Sequence, residues 1–402
     1  MTPRPTPPRI PRERGDDHNP SIVARRLALC EGAAGGALPY LAGQSVEPAA
    51  ARGNIENLIG FAQVPVGIAG PMSVDTSSGE RTVYVPMATT EGAMVASYSR
   101  GMRLLGEGGG AWARVTREGL SQHPMLEYAD VPGALAAADV ARTSLAAWRE
   151  VVQGITSHGE LISADPEILG RRLVLRLIFT TGDAIGINMA AHAADLISQD
   201  LAERTRARAR YVHGQDVEKR ANARALVEGR GRSVVAQVVV PRKALQDVAR
   251  VTPEDMVAVA RAYATGYAQL GTQNWTVQAA NGLSAILVAC GQDVAYVTES
   301  ATGLLDLDLT DDGDLFASVT LPSLLVGTVG GGSGQGTAHE CLSILGCVGD
   351  GQANTFAEIL GAAVLAGDLS LMAAFCAHEF VEAHERLGRN RPGRDRDGSP
   401  SA

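Results

Sequence analysis

Glu91 is the residue of this sequence whose surroundings most favour chemistry. Residues 86–97 are small or apolar around this single acid, and the next basic residue is Arg100. A carboxylate in apolar surroundings loses hydration, which raises its pKa and lets it hold and give a proton near neutral pH. The segment therefore predicts a buried general acid at Glu91, although most glutamates are solvated surface groups.

Three further titratable residues could serve a reaction, and each also has an ordinary structural interpretation. Lys219 begins a cationic segment in an acidic protein, which predicts either an anion clamp or a solvated loop. Asp293 follows an apolar run and could close a turn or, as a buried carboxylate, hold a lysine ammonium. His384, near the end of the last predicted helix, is either a surface histidine or a general acid.

Two glycine-containing segments are typical of backbone that lies against a ligand. The tract 327–332 is too dense in glycine for an ordinary turn and suits a planar or phosphorylated ligand. Residues 182–189 predict a strand–turn–helix junction, where the helix N-terminus could receive an anion or a ribose. Neither is a dinucleotide-binding fingerprint, since G-x-G-x-x-G does not occur in the sequence.

Composition narrows the class of protein. The 402 residues carry a net charge of −9, which argues against nucleic acid as the main partner. Five cysteines without C-x-x-C predict reduced thiols in a cytoplasmic protein. His378 and His384 are six residues apart and cannot share a helix face, so no metal site is predicted. Residues 359–377 are apolar, but Asp368 interrupts them, so two buried helices are expected rather than a membrane span.

The predicted helices and strands that position these residues follow one another along the sequence without strict alternation. This order favours an α+β fold. The first twenty residues, rich in proline and arginine, predict a disordered arm. The predicted strands are 172–180, 233–240 and 315–325. The predicted helices are 21–29, 91–105 with Thr89 or Thr90 as N-cap, 134–154, 188–208, 253–270 and two helices within 356–387.

Seven motifs occur in an order that identifies a family. They are ENLIG at 56–60, VPVGIAGP at 64–71, PMATTEG at 86–92, GDAIGINM at 182–189, EGRG at 228–231, GQD at 291–293 and GTVGGG at 327–332. In this order they resemble the catalytic part of the 3-hydroxy-3-methylglutaryl-coenzyme A (HMG-CoA) reductase family. The similarity covers about residues 21–389, which is nearly the whole chain.

The resemblance implies a large domain for an acyl-CoA with an inserted small ferredoxin-like domain for a nicotinamide cofactor. The implied divisions are a disordered arm (1–20), a helical segment with the first part of the large domain (21–123), the small domain (124–210), the rest of the large domain with a C-terminal catalytic helix (211–388) and a disordered tail (389–402). The motif at 56–60 lies at the dimer contact in the family. A homodimer or dimer of dimers with shared active sites is therefore expected, without a membrane anchor.

The resemblance also implies roles for single residues. Glu91 falls on the proton donor, Lys219 on the group that stabilises the oxyanion, Asp293 on its orienting carboxylate and His384 on the acid that protonates the coenzyme A thiolate. Lys219 indicates the eukaryotic-like class (class I), because the other class takes its lysine from the segment where this chain has Val277.

Further residues fall on the binding positions of the family. Arg100 and Arg103 are placed to reach coenzyme A phosphates. Substrate-binding positions fall on Gln122, Arg220, Arg261 and Asn281. Cofactor-binding positions fall on Asp183, Ala184, Ile185, Gly186, Ile187, Asn188, Val329, Gly330 and Gly331. NADPH is the expected cofactor and NADH is an alternative, because the arginine often used for the 2′-phosphate falls near Ser157 and His158.

One departure from the family concerns the substrate. The arginine that usually grips the substrate carboxylate falls on Gln122, and two lysines fall on Arg220 and Arg261, which differ from lysine in geometry. A family histidine falls on Gln278. Three functions therefore remain open: reduction of HMG-CoA to mevalonate, reduction of another acyl thioester on coenzyme A or a carrier protein, and a non-catalytic binding or regulatory role.

Overall fold

Two largely antiparallel sheets share one long strand. A computed structural model describes residues 7–13, 19–43, 46–51, 54–55, 57, 59 and 61–377. Its strands are β1 (Val66–Thr76), β2 (Gly79–Ala88), β3 (Ala111–Gln122), β4 (Met125–Glu127), β5 (Leu161–Leu169), β6 (Arg172–Phe179), β7 (Ala209–Tyr211), β8 (Gly231–Val240), β9 (Leu304–Leu309) and β10 (Leu315–Leu324). The mixture of helices with antiparallel sheets confirms the α+β class.

The helices pack on both sheets, and most of them are short. They are α1 (Pro20–Ala34), α2 (Met94–Glu107), α3 (Val131–Arg142), α4 (Leu145–Gln153), α5 (Ile187–Thr205), α6 (Ala223–Glu228), α7 (Arg242–Ala249), α8 (Pro253–Leu270), α9 (Ala279–Ala289), α10 (Val297–Ser300), α11 (Gly336–Leu345) and α12 (Ala353–Cys376). Two 3₁₀ turns, Pro48–Ala51 and Val294–Tyr296, complete the described elements.

Strand β3 passes from one sheet into the other. Trp112 to Gly119 pair with β8 in the large sheet, whose order is β2-β1-β3-β8-β10-β9. Leu120 to Gln122 pair instead with β6 of the small sheet. Gln122 therefore lies where the two sheets meet.

The small sheet has the strand order β7-β4-β6-β5, with every pair antiparallel. Along the chain its elements run β4, α3–α4, β5, β6, α5, β7, which is the ferredoxin-like arrangement. Its core is a cluster separate from that of the large sheet and includes Trp148, Leu173 and Ile197. The insertion expected between residues 124 and 210 has this topology.

Helix α12 fills the core of the large sheet and contradicts one prediction. It is one continuous helix of 24 residues, whereas two helices were predicted on either side of Asp368. Asp368 does not interrupt the helix because its carboxylate accepts the backbone N–H groups of Val277 and Gln278, at 3.3 and 2.7 Å. By length and composition the helix could cross a membrane, yet 83% of its most apolar stretch is buried within the protein.

Close packing of α12 against α2 requires a glycine at position 101. A Cβ atom at Gly101 would lie 1.8 Å from the carbonyl oxygen of Ala366, a distance that no side chain can accept. The two helices can therefore approach backbone to backbone, which fixes the position of α2 and of the turn before it. That turn carries Glu91.

Helix α2 begins later than predicted. Thr89 or Thr90 was expected as N-cap of a helix over 91–105, but the N-cap is Ala93, at φ 69° and without a side-chain cap. The Thr89 hydroxyl instead accepts the backbone N–H of Glu91 at 3.0 Å, so this threonine stabilises a turn before the helix.

The alanine-rich helix predicted over 134–154 is two helices, α3 and α4. The break falls at Thr143 and Ser144, whose hydroxyls both donate to the Val140 carbonyl, at 3.0 and 2.6 Å. Such bonds compete with the helical backbone pattern, and this explains why the helix stops there.

Part of the predicted N-terminal arm packs on the protein. Within residues 7–13, the carbonyl of Pro8 accepts the Tyr84 hydroxyl at 2.5 Å, and the carbonyl of Pro11 accepts Arg26 Nε at 3.0 Å. Ile10 packs on a small third cluster beside Tyr84.

Other elements agree with the sequence-based predictions. Helix α8 has the predicted bounds 253–270, since Thr252 and Asp255 form a capping box and Gly271 closes the helix at φ 66°. Strands β6, β8 and β10 begin and end within two residues of the predicted limits.

Candidate active site

A lysine and an aspartate form the centre of the candidate site. Lys219 Nζ lies 2.8 Å from Asp293 Oδ2. Lys219 belongs to the loop between β7 and α6, and Asp293 follows the C-terminal end of α9. The structure thus brings together two residues that are 74 positions apart in the sequence and that the resemblance paired.

Asp293 combines both interpretations considered for it. Its Oδ1 accepts the backbone N–H of Ala295 at 3.0 Å, which closes the 3₁₀ turn, while its Oδ2 holds Lys219. The expectation of a buried carboxylate is wrong, because the Asp293 side chain is 45% exposed. The hydrogen bond to Asp293 raises the pKa of Lys219, so the ammonium form is favoured.

The backbone of Lys219 is held in an unusual conformation by a buried carboxylate. Lys219 has φ 56°, a region that side-chain-bearing residues rarely occupy. Its N–H donates to Glu299 Oε1 at 2.5 Å, and Glu299 also accepts Arg230 Nη1 through both oxygens, at 2.9 and 3.0 Å. Arg230 in turn donates to the Ser121 carbonyl at the junction of the sheets. This buried chain fixes the lysine loop relative to both sheets.

Glu91 differs most from its prediction. It lies in the turn between β2 and α2, and its side chain is exposed rather than buried in the apolar segment that surrounds it in sequence. Among the described residues it forms no ion pair. Its apolar neighbours Met87 and Met94 are buried in the core instead, so the turn presents the carboxylate outwards.

The other predicted catalytic residue, His384, lies outside the described residues, which end at 377. Helix α12 ends at Cys376, so the predicted last helix beyond it, to residue 387, also falls outside that range.

Three of the predicted coenzyme A and acyl-binding residues lie on helices α2 and α9. Arg100 is fastened to α12, because its Nε and Nη2 donate to the hydroxyl and carbonyl of Ser370, at 3.0 and 2.6 Å. Arg103 is largely exposed, 3.7 Å from Glu107. Asn281 is exposed in the first turn of α9. Arg103 and Asn281 are exposed, whereas Arg100 is half-buried.

Two further predicted substrate-binding residues each lie near a carboxylate. Arg220 Nη2 lies 2.9 Å from Asp216, and Arg261 Nη2 lies 4.0 Å from Asp308 on β9. Arg220 also lines a cavity of about 270 Å³ formed by the loop that carries Lys219. Its other lining residues are Gln215, Asp216, Val217, Ala221, Asn222 and Arg224.

Gln122 belongs to a buried polar cluster next to this loop. Gln122 and His123 are each 4% exposed. Gln122 Nε2, both ring nitrogens of His123 and Gln215 Oε1 have no hydrogen-bond partner among the described residues. The backbone N–H of Gln215 donates to the His123 carbonyl at 3.1 Å, which joins the cluster to the cavity wall.

Charges around this cluster are already compensated. Arg224 pairs with Glu167, Arg176 Nε lies 3.1 Å from Glu228, and Arg230 pairs with Glu299. Burial, followed by the charges of Arg224, Arg176 and Arg230, lowers the pKa of His123 to about 4. His123 is therefore neutral at physiological pH.

The two predicted cofactor segments meet in the structure. The carbonyl of Asp183 accepts the backbone N–H groups of Thr328 and Val329, at 2.8 and 3.2 Å. The Asp183 carboxylate accepts those of Gly351 and Ala353, at 2.8 and 3.0 Å. Asp183 thus fastens the glycine tract to the 183–188 turn with its backbone carbonyl, and the start of α12 with both of its carboxylate oxygens.

The remaining residues of these segments suit close approach of a ligand. Gly186, at φ 80°, precedes α5, whose N-terminus has no side-chain cap, and Ala184, Ile185, Ile187 and Asn188 surround it. A Cβ added to Gly330 or Gly331 would meet no atom within 4 Å, and both have positive φ. Free helix N–H groups beside open glycine backbone fit a phosphate-bearing ligand.

Sequence reasoning missed two residues of the site. Tyr296 and Glu299 follow Asp293 but had no motif of their own, and only the structure places them against Lys219. A signal for Lys219 itself was available. The sequence contains 35 basic residues, and only Lys219 and Lys243 are lysines. Because nearly all other basic residues are arginines, a lysine at position 219 indicates a role that a guanidinium cannot fill.

These features define a class of protein: an α+β enzyme with its site between two sheets. The lysine–aspartate pair lies near the junction of the sheets, and helix α5 of the ferredoxin-like sheet has an N-terminus without a side-chain cap. Comparisons with known proteins give the family. The family model described as hydroxymethylglutaryl-coenzyme A reductase matches residues 22–389. The chain belongs to the hydroxymethylglutaryl-coenzyme A reductase family.

Relatives from two domains of life are similar over most of the chain. The 3-hydroxy-3-methylglutaryl-coenzyme A reductase of Methanothermobacter thermautotrophicus is 38% identical over 371 residues, covering 91% of this chain and 93% of that protein. The 3-hydroxy-3-methylglutaryl coenzyme A reductase mlcD of Penicillium citrinum is 35% identical over 354 residues, which are 84% of this chain and 30% of that protein.

A solved structure shares the fold at lower identity. The class II 3-hydroxy-3-methylglutaryl-CoA reductase from Streptococcus pneumoniae, bound to NADPH in open conformations, superposes with a TM-score of 0.72 at 21% identity. The match covers 88% of this chain and 96% of that chain.

Proposed function

We propose that this protein reduces HMG-CoA to mevalonate and coenzyme A in two hydride transfers from NADPH. The observation that carries the proposal is the Lys219–Asp293 pair at 2.8 Å, in a chain of this family. Each hydride transfer to a carbonyl carbon creates negative charge on its oxygen, and a fixed ammonium next to that oxygen stabilises the charge.

The remaining catalytic roles are assigned to three residues. Asp293 orients Lys219 and keeps it protonated, as the direction of the Lys219 pKa indicates. Glu91, exposed in a turn, gives a proton to the reduced oxygen, and His384 protonates the departing coenzyme A thiolate so that it does not add back to the aldehyde.

Residues 124–210 are proposed as the cofactor-binding domain. The cofactor supplies hydride when it is bound. The uncapped N-terminus of α5 and the open backbone of Gly330 and Gly331 would hold its phosphates. Asp183 would shape this cradle without binding the ligand, because both of its carboxylate oxygens already accept backbone N–H groups.

The eukaryotic-like class (class I) is proposed from the position of the lysine. Lys219 comes from the loop before α6, and Val277 stands where the other class has its lysine. The relative from Penicillium citrinum, a eukaryote, is 35% identical over 84% of this chain, which supports this assignment.

A homodimer, or a dimer of dimers, with shared active sites is proposed, together with a cytoplasmic location. Ile55, Ile59, Phe61 and Val64 are exposed apolar side chains around the motif at 56–60. An exposed run of this kind is typical of an interface. Light scattering on the purified protein tests the assembly, and a monomer at micromolar concentration contradicts it.

The experiment that tests the function is direct. Purified protein is mixed with HMG-CoA and NADPH or NADH, and cofactor oxidation is followed beside thiol release. Two cofactor molecules oxidised per thiol support the proposal. No oxidation with either cofactor, with HMG-CoA or with any other acyl thioester, from a protein that binds NADPH supports a non-catalytic role instead.

A second candidate is reduction of another acyl thioester, on coenzyme A or a carrier protein. The cluster around Gln122 and His123 favours it, since the unpaired groups of Gln122, His123 and Gln215 are uncharged, and the nearby arginines each have a carboxylate partner. Such a cluster suits a hydrogen-bonding acyl end without charge.

The substitution Gln122→Arg separates the two candidates. If a carboxylate is the natural acyl end, wild type turns over HMG-CoA well, and the variant improves kcat/KM at most severalfold. If the natural end is uncharged, wild type prefers acyl-CoA substrates with a terminal amide or hydroxyl. The variant then gains about tenfold or more in kcat/KM with HMG-CoA, because a charge-assisted bond replaces a neutral one.

A further inference from the structure

Tyr296 lies beneath the lysine of the candidate site. It is the last residue of the 3₁₀ turn that Asp293 begins, and it is 4% exposed. Lys219 Nζ lies 4.9 Å from the centroid of its ring, within the range of a cation–π interaction. The ammonium therefore has the ring on one side and the Asp293 carboxylate, at 2.8 Å, on another.

The hydroxyl of Tyr296 is also bound to the lysine loop. It donates to Glu218 Oε1 at 2.7 Å, and Glu218 immediately precedes Lys219. One side chain thus contacts Lys219 with its ring and the neighbouring residue with its hydroxyl. The ring itself belongs to the core cluster of the small sheet, together with Leu120 and Leu325.

We propose that Tyr296 is a positioning residue that holds the Lys219 ammonium where the reaction proposed above needs it. A lysine side chain has four rotatable bonds and loses its orientation readily unless its surroundings restrict it. Exposed ion pairs restrict it weakly, and both Lys219 and Asp293 are more than a third exposed. A buried ring below the ammonium supplies the restriction that the ion pair lacks.

The placement also links Lys219 to the sheet proposed to bind the cofactor. Tyr296 is packed with residues of the small sheet, whereas Asp293 follows α9 of the large sheet. The ammonium is consequently set by contacts with both sheets. Besides Lys219, the charged groups around the ring are Glu218, Asp293 and Arg230, whose Nη2 lies 3.9 Å from Glu218.

The first test uses the two lysines of the chain and needs no substrate. Protein labelled with ¹³C at the lysine ε carbon gives two signals, from Lys219 and from the exposed Lys243, which serves as internal reference. A methylene over an aromatic ring is shifted upfield. We expect an upfield Lys219 signal in wild type and in Tyr296→Phe, and its loss in Tyr296→Leu. A Lys219 signal that coincides with Lys243 in wild type overturns the proposal.

The second test separates the electronic effect of the ring from its shape. Tyr296→Phe is compared with 3,4,5-trifluorophenylalanine at the same position, which keeps the shape but weakens cation binding. We expect Tyr296→Phe to keep kcat within about threefold of wild type. The fluorinated ring should lower kcat about tenfold further, with KM for the acyl-CoA unchanged within about threefold.

Each outcome of this comparison decides one point. Equal kcat for the two rings shows that Tyr296 only fills space and overturns the proposal. Complete loss in Tyr296→Phe, with unchanged thermal unfolding, assigns positioning to the hydroxyl and Glu218 and also overturns the role of the ring. If wild type reduces no acyl thioester, the proposed function fails, while the lysine signals still decide the position of Lys219.

Discussion

Two aspartates stand at opposite ends of helix α9, and they differ in nearly every physical respect. Asp368 accepts the backbone N–H groups of Val277 and Gln278 at the N-terminal end, is fully buried and pairs with no cation in the part of the chain that the structure describes. Asp293 follows the C-terminal end, is 45% exposed and pairs with Lys219. Each aspartate accepts at least one backbone N–H, so a backbone hydrogen bond alone does not distinguish the two residues.

The difference lies in how each environment treats the charge. Burial raises the pKa of Asp368 to about 7, although its two backbone hydrogen bonds oppose this. The charge of Asp293 is balanced by the Lys219 ammonium, and its side chain is partly exposed to solvent. We infer that Asp368 fixes α9 for the fold, whereas Asp293 remains available for chemistry at the end of the same helix.

The largest expected effect comes from replacing Lys219, the cation that pairs with Asp293 but has no counterpart at Asp368 among the described residues. Lys219→Met should lower kcat about 10²–10³-fold, because no donor then stabilises the developing oxyanion. The matched control is Lys243→Met, which removes the other lysine, a surface residue 2.6 Å from Asp247. Steady-state kinetics of both variants check this. A Lys219→Met enzyme as active as the control would show that the pair at Asp293 is only structural.

The next effect concerns stability and tests Asp368. Its carboxyl has a pKa near 3.8 when unfolded and about 7 when folded, so folding favours the protonated form. Its stabilisation is therefore fully present below about pH 4 and is lost as pH rises through about 7. Between pH 5 and pH 8 the free energy of unfolding should fall by up to ~3 kcal/mol on this account.

The variant Asp368→Asn isolates this contribution, since it cannot ionise. Urea unfolding of wild type and variant is measured at pH 5, 6.5 and 8. We expect wild type to lose stability relative to the variant as pH rises. Parallel curves for the two proteins would mean that Asp368 does not titrate in this window, and the contrast with Asp293 would lose its basis.

The smallest expected effect comes from Asp293 itself. Asp293→Asn keeps an oxygen to accept the Ala295 N–H but removes the charge beside Lys219, so kcat should fall about tenfold and stability little. Because Asp293 raises the pKa of Lys219, the variant lowers it, and the alkaline limb of the pH–rate profile moves to lower pH. Asp247→Asn, beside Lys243, is the control and should leave the profile unchanged.

Much of the fold could be predicted because its signals are local. Thr252, Asp255 and Gly271 mark the ends of α8 within a few residues of the helix itself. The predictions failed where a distant group decided the outcome. Asp368 was expected to break α12, but backbone N–H groups about ninety positions away donate to its carboxyl group. Short-range patterns contain no information on such partners.

The candidate site divides in the same way. The order of the motifs indicated the family and paired Lys219 with Asp293, because the types and positions of residues can be read from the sequence itself. The apolar neighbours of Glu91 wrongly predicted burial, since neighbours in sequence can point into the core while the acid points outwards. The contact between Tyr296 and Lys219, 77 positions apart, exists only after both sheets have packed. Exposure and long-range pairing depend on how elements pack together, and that arrangement is decided by the tertiary structure.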